Sequence, residues 1–305
     1  MAKSIAITGA LRLSDTLRTQ IEALGLEVLY IQNELERVDD LYTDVDMVIC
    51  NGLFLHNDID RFASLKYIQV TSAGLDRLPM DKIADRSIVL HNARGVYSIP
   101  MAEWALSGIL SLYKNSFHFT QNKLQKEWCK DRDIIELYAK RALVVGFGSV
   151  GVEVTKRLYA MGVSVDAVDK FDVSSEYVNA NYLISQLFDI APRYDIIILT
   201  LPLTDETYHL FNGEFFSIVK RGAIVVNISR GAVIDEDALV SAIDSGVLRG
   251  AALDVFESEP LPKDSKLWDY DNIIITPHNS FVSERNAERL ERVIITNLKR
   301  FLDAK

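Results

Sequence analysis

The stretch Leu143-Val144-Val145-Gly146-Phe147-Gly148-Ser149-Val150-Gly151 decides the fold. A short apolar run is cut off by glycines, and Val150, Val154 and Leu158 then recur at helical spacing. GxGxxG alone is a weak pattern. Here it closes a strand and opens a helix, and a second apolar run, Val163 to Val168, ends at Asp169, 18 residues past Gly151. That context is what a dinucleotide-binding turn requires. The first glycine permits the tight turn, the second lets a pyrophosphate approach the backbone, and the third lets helix and strand pack closely. The helix N-terminus attracts the negative charge. A carboxylate at Asp169 accepts from both ribose hydroxyls and repels a 2′-phosphate, which favours NAD over NADP, although Lys170 beside it pulls the other way. A methyltransferase would share the glycine turn and the ribose-binding acid, but it needs none of the three segments that follow the later strands.

Outward from this turn the chain alternates strand and helix. Further strand candidates are Ile196 to Leu201, Ile224 to Ile228, Ala251 to Leu253 and Ile273 to Thr276, with helical segments such as Glu236 to Ser245, closed by Gly246, between most of them. Such alternation implies right-handed crossovers and a parallel sheet covered by helices on both faces. The first 95 or so residues read as a smaller α/β unit. Its strand candidates are Ile5-Ala6-Ile7, Glu27 to Tyr30, Met47 to Cys50, Tyr67 to Val70 and Ile88 to Leu90. A long helix is expected from Pro100 to about Tyr113, with Ser98 as N-cap and Pro100 in its first turn. From Ser283 onward Ala287, Leu290, Ile294, Leu298 and Phe301 share one face, which predicts an amphipathic helix.

Length agrees with two domains, since 305 residues exceed what one ordinary core holds. The formal charge of −10, from 33 basic and 43 acidic residues, argues against nucleic acid or an anionic membrane as partner. An anionic substrate must then be captured by a local positive group. No run of 18 apolar residues exists, and the N-terminus enters a strand-like segment without the apolar region of a signal peptide. Cys50 and Cys129 make no disulfide framework, and no Cys/His spacing resembles a zinc site. The expectation is a cytoplasmic protein without a metal.

Three segments stand at the C-terminal ends of the later strands, where open α/β sheets bind ligands. They are Asn227-Ile228-Ser229-Arg230-Gly231, Asp254-Val255-Phe256-Glu257-Ser258-Glu259-Pro260 and Thr276-Pro277-His278. Singly, each residue has a bland reading: a surface arginine, a packing histidine beside proline, one solvated acid among several. Together, behind a glycine fingerprint, they form a candidate site. With these segments the chain resembles the D-isomer-specific 2-hydroxyacid dehydrogenases. The resemblance also takes in Ser72-Ala73-Gly74-Leu75-Asp76, Ala102-Glu103 and Leu201-Pro202-Leu203-Thr204, and it runs over nearly the whole chain.

That resemblance implies an oxidoreductase transferring a hydride between NAD(H) and a 2-oxo acid or D-2-hydroxy acid. Arg230 matches the arginine that binds the substrate carboxylate and polarises the oxo group, a task suited to its planar fork. His278 matches the acid/base, and Glu259 the carboxylate that orients the imidazole and holds its proton. Cofactor contacts are implied for Gly146, Gly148, Ser149, Val150, Gly151 and Asp169, for Leu201, Pro202, Thr207 and Ile228, and for Arg230, Asp254 and His278. Ser72, Ala73 and Gly74 match a loop whose amides help bind the substrate carboxylate. Asn92 and the helix near Ser98 fall where the family has a hinge, nicotinamide contacts and dimer packing, although core packing explains the apolar residues there equally well. The architecture implied is a Rossmann dinucleotide-binding domain, residues 97–281, inserted into a smaller flavodoxin-like substrate domain of residues 1–96 and 282–305. A homodimer is implied too.

Two departures bear on chemistry. After His278 the family has small residues, often ending in glycine, whereas this chain reads Asn279-Ser280-Phe281. Where phosphoglycerate dehydrogenases carry an arginine after the third strand, this chain reads Cys50-Asn51-Gly52-Leu53-Phe54, and no C-terminal regulatory domain is expected. Leu53 and Phe54 are therefore expected to face the side chain of the oxo acid and to favour apolar substrates. The alternatives are a phosphoglycerate dehydrogenase of the same family and a non-catalytic NAD-sensing protein of the corepressor type. The latter usually carries flanking segments that are almost lacking here.

Overall fold

The computed structural model describes residues 3–304. The chain divides into two units: one runs to Tyr97 and resumes at Ser283, and the other is Ser98–Val282.

The first unit has five parallel strands, β1 (Lys3–Thr8), β2 (Leu26–Ile31), β3 (Met47–Cys50), β4 (Tyr67–Val70) and β5 (Val89–His91), in the order β2-β1-β3-β4-β5. This is the flavodoxin-like order. Its strands read as continuous apolar runs because both faces are covered. Ile5 and Ile7 face a core shared with Leu17, Ile21, Leu290, Ile294 and Leu298, while Ala6, Val48 and Ile68 face one shared with Leu53 and Phe62. The helix Asp15–Glu22 starts at Ser14, whose Oγ accepts from Leu17 N at 3.0 Å. The C-terminal helix Asn286–Asp303 buries Leu290, Ile294, Leu298 and Phe301, but Ala287 in its first turn stays exposed.

In the second unit seven parallel strands follow: β6 (Arg141–Val145), β7 (Ser164–Asp169), β8 (Asn181–Leu183), β9 (Ile196–Leu199), β10 (Ala223–Asn227), β11 (Leu248–Leu253) and β12 (Ile273–Ile275). Their order is β12-β11-β10-β9-β6-β7-β8, so the chain reverses direction across the sheet between β6 and β9, the doubly wound Rossmann arrangement. Alternate residues serve opposite cores. Leu143 and Val145 pack with Phe211, Phe215 and Leu239, and Ala142 and Val144 pack with Ala105, Ile109, Val154 and Leu158. β8 was not legible in the sequence: three residues without an apolar run become a strand only by pairing with β7 at the sheet edge. The long helix is Ser98–Tyr113, so Ser98 is its first residue and not its N-cap. The Ser98 Oγ is buried without a hydrogen-bond partner, and Pro100 in the first turn needs no N–H partner. No described helix is long and apolar enough to cross a membrane.

Candidate active site

The glycine turn lies at the C-terminal end of β6. Gly146 has φ +93°, and a Cβ there would stand 2.5 Å from Leu201 N, so both backbone conformation and close approach demand glycine. A Cβ on Gly151 would meet Gly146 O at 2.4 Å, which is how the helix Ser149–Ala160 seats against the turn. Around Gly148 the space is open, with nothing within 4 Å of a Cβ position. Backbone amides, a helix N-terminus and open space coincide, which fits a dinucleotide pyrophosphate. Ser149 and Val150, half-buried, form the first turn of that helix. Asp169 closes β7, where its carboxylate accepts from Phe147 N at 2.6 Å and Phe171 N at 3.2 Å. It is thereby held beside the turn. Lys170 pairs with Glu206 at 3.2 Å on the surface, so its charge is partly matched.

The loop after β9 folds on its own threonine. Thr207 Oγ1 donates to Pro202 O at 2.8 Å and accepts from Thr204 N at 2.8 Å, leaving Leu201 buried and Pro202 exposed. At the end of β10, Asn227 is buried and its side chain ties the next turn. Its Oδ1 accepts from Ser229 N at 3.0 Å and Ser229 Oγ at 2.8 Å, and its Nδ2 donates to Arg230 O at 3.0 Å. Arg230 Nη1 also donates to Ser229 O at 2.8 Å. Ile228 is buried in the core, so any ligand contact from it is through its backbone.

The segments after β11 and β12 bring Glu259 and His278 together. His278 Nδ1 lies 2.9 Å from Glu259 Oε2, and the other oxygen, Oε1, accepts from Phe256 N at 3.1 Å. A carboxylate fixed at both oxygens holds the ring at one angle. His278 has φ +51°, a left-handed conformation that costs a non-glycine residue energy and marks a position held by its surroundings. What holds it is Asp254, which is 1% exposed. The His278 N–H donates to Asp254 O at 2.8 Å. The Asp254 carboxylate accepts from Thr276 Oγ1 at 2.5 Å, Asn279 N at 2.7 Å and Ser280 N at 2.9 Å. Three donors offset the burial of one charge. Because Asn279 and Ser280 contribute backbone amides, their departure from the family pattern leaves this turn intact.

Gly231 joins the first and second segments. A Cβ there would fall 1.8 Å from Phe256 C and 2.4 Å from Glu257 N, so the residue after Arg230 packs directly on the Phe256–Glu257 peptide, next to the Phe256 N–H that anchors Glu259. Beside it, Glu257 N donates to Glu236 Oε1 at 2.8 Å and Glu236 N to Glu257 Oε1 at 3.2 Å. Burial, and then the Glu257 charge, push the Glu236 carboxyl above its ordinary range. Asn227, Gly231 and Thr276 went unassigned in the sequence. Only an Asn two residues before a Ser, the pattern of an Asx turn, signals the first of them.

The first unit places its own candidates at the C-terminal ends of its strands. After β4, Ser72 Oγ donates to Gly74 O at 2.8 Å, and Asn92 Nδ2 holds Ala73 O at 2.7 Å. The N–H groups of Ala73 and Gly74 donate to no acceptor among the described residues. Leu53 and Phe54 pack into the core of the first unit. Leu53 is fully buried, and Phe54 packs edge-on to Phe62 with ring centres 5.5 Å apart. The chain turns into a helix at Leu53, which aims both side chains into the unit's own core. The amides of the loop after β3 are instead engaged by Glu34 from the loop after β2, 7% exposed, whose carboxylate accepts from Asn51 N at 3.0 Å, Gly52 N at 2.6 Å and Thr8 Oγ1 at 2.5 Å.

Residues 106–280 match the family model of the D-isomer specific 2-hydroxyacid dehydrogenase NAD binding domain. The chain belongs to the D-isomer specific 2-hydroxyacid dehydrogenase family. Its NAD-binding domain is thus the second unit, whose glycine turn is described above. Among its relatives is the D-3-phosphoglycerate dehydrogenase of Methanocaldococcus jannaschii, 34% identical over 272 residues that cover 88% of this chain and 51% of that one. The chain spans about half the length of this phosphoglycerate dehydrogenase and of that from Bacillus subtilis. The glyoxylate reductase of Thermofilum pendens is 32% identical, covering 79% of this chain and 73% of its own. A solved family member from Xanthobacter autotrophicus Py2, in complex with NADPH and MES, superposes with a TM-score of 0.81 at 26% identity, covering 100% of this chain and 96% of that one.

Proposed function

We propose that this family member reduces 2-oxo acids to D-2-hydroxy acids with NADH. The observation that carries the reading is the Glu259–His278 pair at 2.9 Å, at the C-terminal edge of the same sheet whose β6 ends in the glycine turn. When bound, the reduced nicotinamide supplies the hydride to the carbonyl carbon. With Nδ1 committed to Glu259, His278 presents Nε2 to the carbonyl oxygen and donates a proton there as the oxygen gains charge. Glu259 stabilises the ring while it carries that proton and keeps it aimed. Arg230 grips the substrate carboxylate through two parallel N–H bonds and draws electron density from the oxo group. The open amides of Ala73 and Gly74 supply further donors to the carboxylate.

Substrate choice follows from Glu34. The amides of Asn51 and Gly52 already serve an internal carboxylate, so a phosphate or second carboxylate on the substrate would meet a negative charge there. We infer that oxo acids with uncharged side chains are preferred to phosphohydroxypyruvate. This is a different reason from packing by Leu53 and Phe54, which belong to the core. The phosphoglycerate dehydrogenase from Methanocaldococcus jannaschii makes the phosphorylated acid the competing reading. Turnover of NADH with 2-oxoisocaproate, phenylpyruvate, pyruvate, glyoxylate and phosphohydroxypyruvate tests both. No turnover with any of them refutes the dehydrogenase reading, and a lead for the phosphorylated acid refutes the preference. NADPH belongs in the same assay, because Asp169 beside the turn should make it the poorer donor.

A homodimer completes the proposal. Phe117, Leu124 and Trp128 are 47%, 77% and 97% exposed, apolar surface that association would cover. Light scattering should report two chains, and Trp128→Glu should shift the population toward one.

A further inference from the structure

The first unit contains a groove of about 510 Å³ between the end of β5 and the C-terminal helix. Leu75, Leu90 and Val293 give it an apolar floor. Arg94, Arg292 and Arg300 surround that floor, and no carboxylate lines it. In a chain of net charge −10 this is an uncommon concentration of positive charge. Arg292 pairs with Glu288 at 2.7 Å, but both side chains are 71% exposed and such a pair is weak. Neither Arg94 nor Arg300 forms an ion pair among the described residues.

Behind the arginines the wall is built from buried polar groups. Asn297 Nδ2 donates to Gln69 Oε1 at 2.9 Å, and His91 Nδ1 lies 3.3 Å from the Tyr67 hydroxyl; Gln69 and Tyr67 are fully buried. Burial first, and then the charge of Arg300, hold the His91 imidazole below its ordinary range, as expected in a positive field. Guanidinium forks over an apolar floor suit an anion with several oxygens on an uncharged body.

We propose that this groove binds a small polyanion, phosphate-bearing or polycarboxylic, at a site made wholly of first-unit residues. The anion lies against Arg94, Arg292 and Arg300, with its uncharged part on Leu90 and Val293. The site also touches the loop assigned to the substrate. Asn92 Oδ1 accepts from Arg94 N at 3.2 Å while its Nδ2 holds Ala73 O at 2.7 Å, so one amide side chain links the groove to the Ser72–Gly74 loop. Occupation of the groove changes the loop and with it KM for the oxo acid. That coupling rests on the dehydrogenase reading; the site does not.

Calorimetric titration of the intact protein, with NADH saturating to block the glycine turn, tests the site, using inorganic phosphate and citrate as separate probes. At least one probe should bind with a stoichiometry near one. In the double variant Arg94→Ser/Arg300→Ser, both exposed positions, affinity should fall by roughly tenfold or more. Lys299→Ser, an exposed change on the same helix outside the groove, should leave it unaltered. The better probe tells phosphate from polycarboxylate. Absence of saturable binding, binding that survives in the double variant, or an equal loss in Lys299→Ser overturns the site. A KM indifferent to a bound probe overturns the coupling, and an inactive enzyme that still binds the probe refutes only the dehydrogenase reading.

Discussion

Gly231→Ala places one methyl group where the structure leaves no room. The new Cβ would sit 1.8 Å from Phe256 C, and relief to an ordinary contact of 3.4 Å requires a movement of about 1.6 Å by one backbone segment or the other. Either movement reaches a residue of the proposed site. If the Phe256–Glu257 peptide retreats, it carries Phe256 N, the anchor of Glu259 Oε1 at 3.1 Å, and loosens the carboxylate from His278. If the segment after β10 retreats, it carries Arg230, the residue before Gly231. A misplacement of about 1 Å costs on the order of 100-fold in turnover, and overpacking costs roughly 1–3 kcal/mol in stability. The glycine turn at the end of β6 is untouched. Steady-state reduction of a 2-oxo acid, NADH binding by fluorescence and thermal unfolding measure the three consequences separately. Expected are a kcat lowered roughly 100-fold or more, a Tm lower by several degrees and an NADH affinity within about threefold of the parent. A variant with parental kcat and Tm would show that the close approach does not matter, and the reasoning would fail.

Gly148→Ala makes the opposite contrast: its methyl group meets nothing in the protein, so Tm should hold while NADH affinity drops, as checked by the same fluorescence titration. His278→Ala should lower kcat by roughly 100- to 10,000-fold in the same steady-state assay. Glu259→Gln keeps a hydrogen-bond acceptor but not the charge, so its kcat should fall between those of the parent and His278→Ala. Glu236 gives a pH test of stability. Its folded carboxyl is raised by burial and by Glu257, so its contribution is present below the unfolded value near 4.5 and is lost as pH rises through the folded one. Glu236→Gln, neutral throughout, should match the parent near pH 4 and exceed it at pH 7 in urea midpoint; equal midpoints at both would contradict the assignment.

What the sequence determined by itself was whatever depends on local order. Apolar runs with helical spacing between them specify parallel strands and crossovers, and a GxGxxG placed between strand and helix admits few other structures. Arg230, Glu259 and His278 could be singled out as candidates because the segments that carry them follow β10, β11 and β12, and strand ends converge on one edge of a parallel sheet. Residues whose roles come from contact across the chain were not legible. Gly231 is required by a peptide 25 residues away, Asp254 holds a turn that begins 22 residues later, and Glu34 serves amides 17 and 18 positions on. Leu53 and Phe54 show the same limit in reverse, since an apolar pair after a strand faces a ligand or the core according to where the backbone turns. Spacing along a chain encodes periodicity, but which side chain meets which carbonyl is decided by tertiary packing.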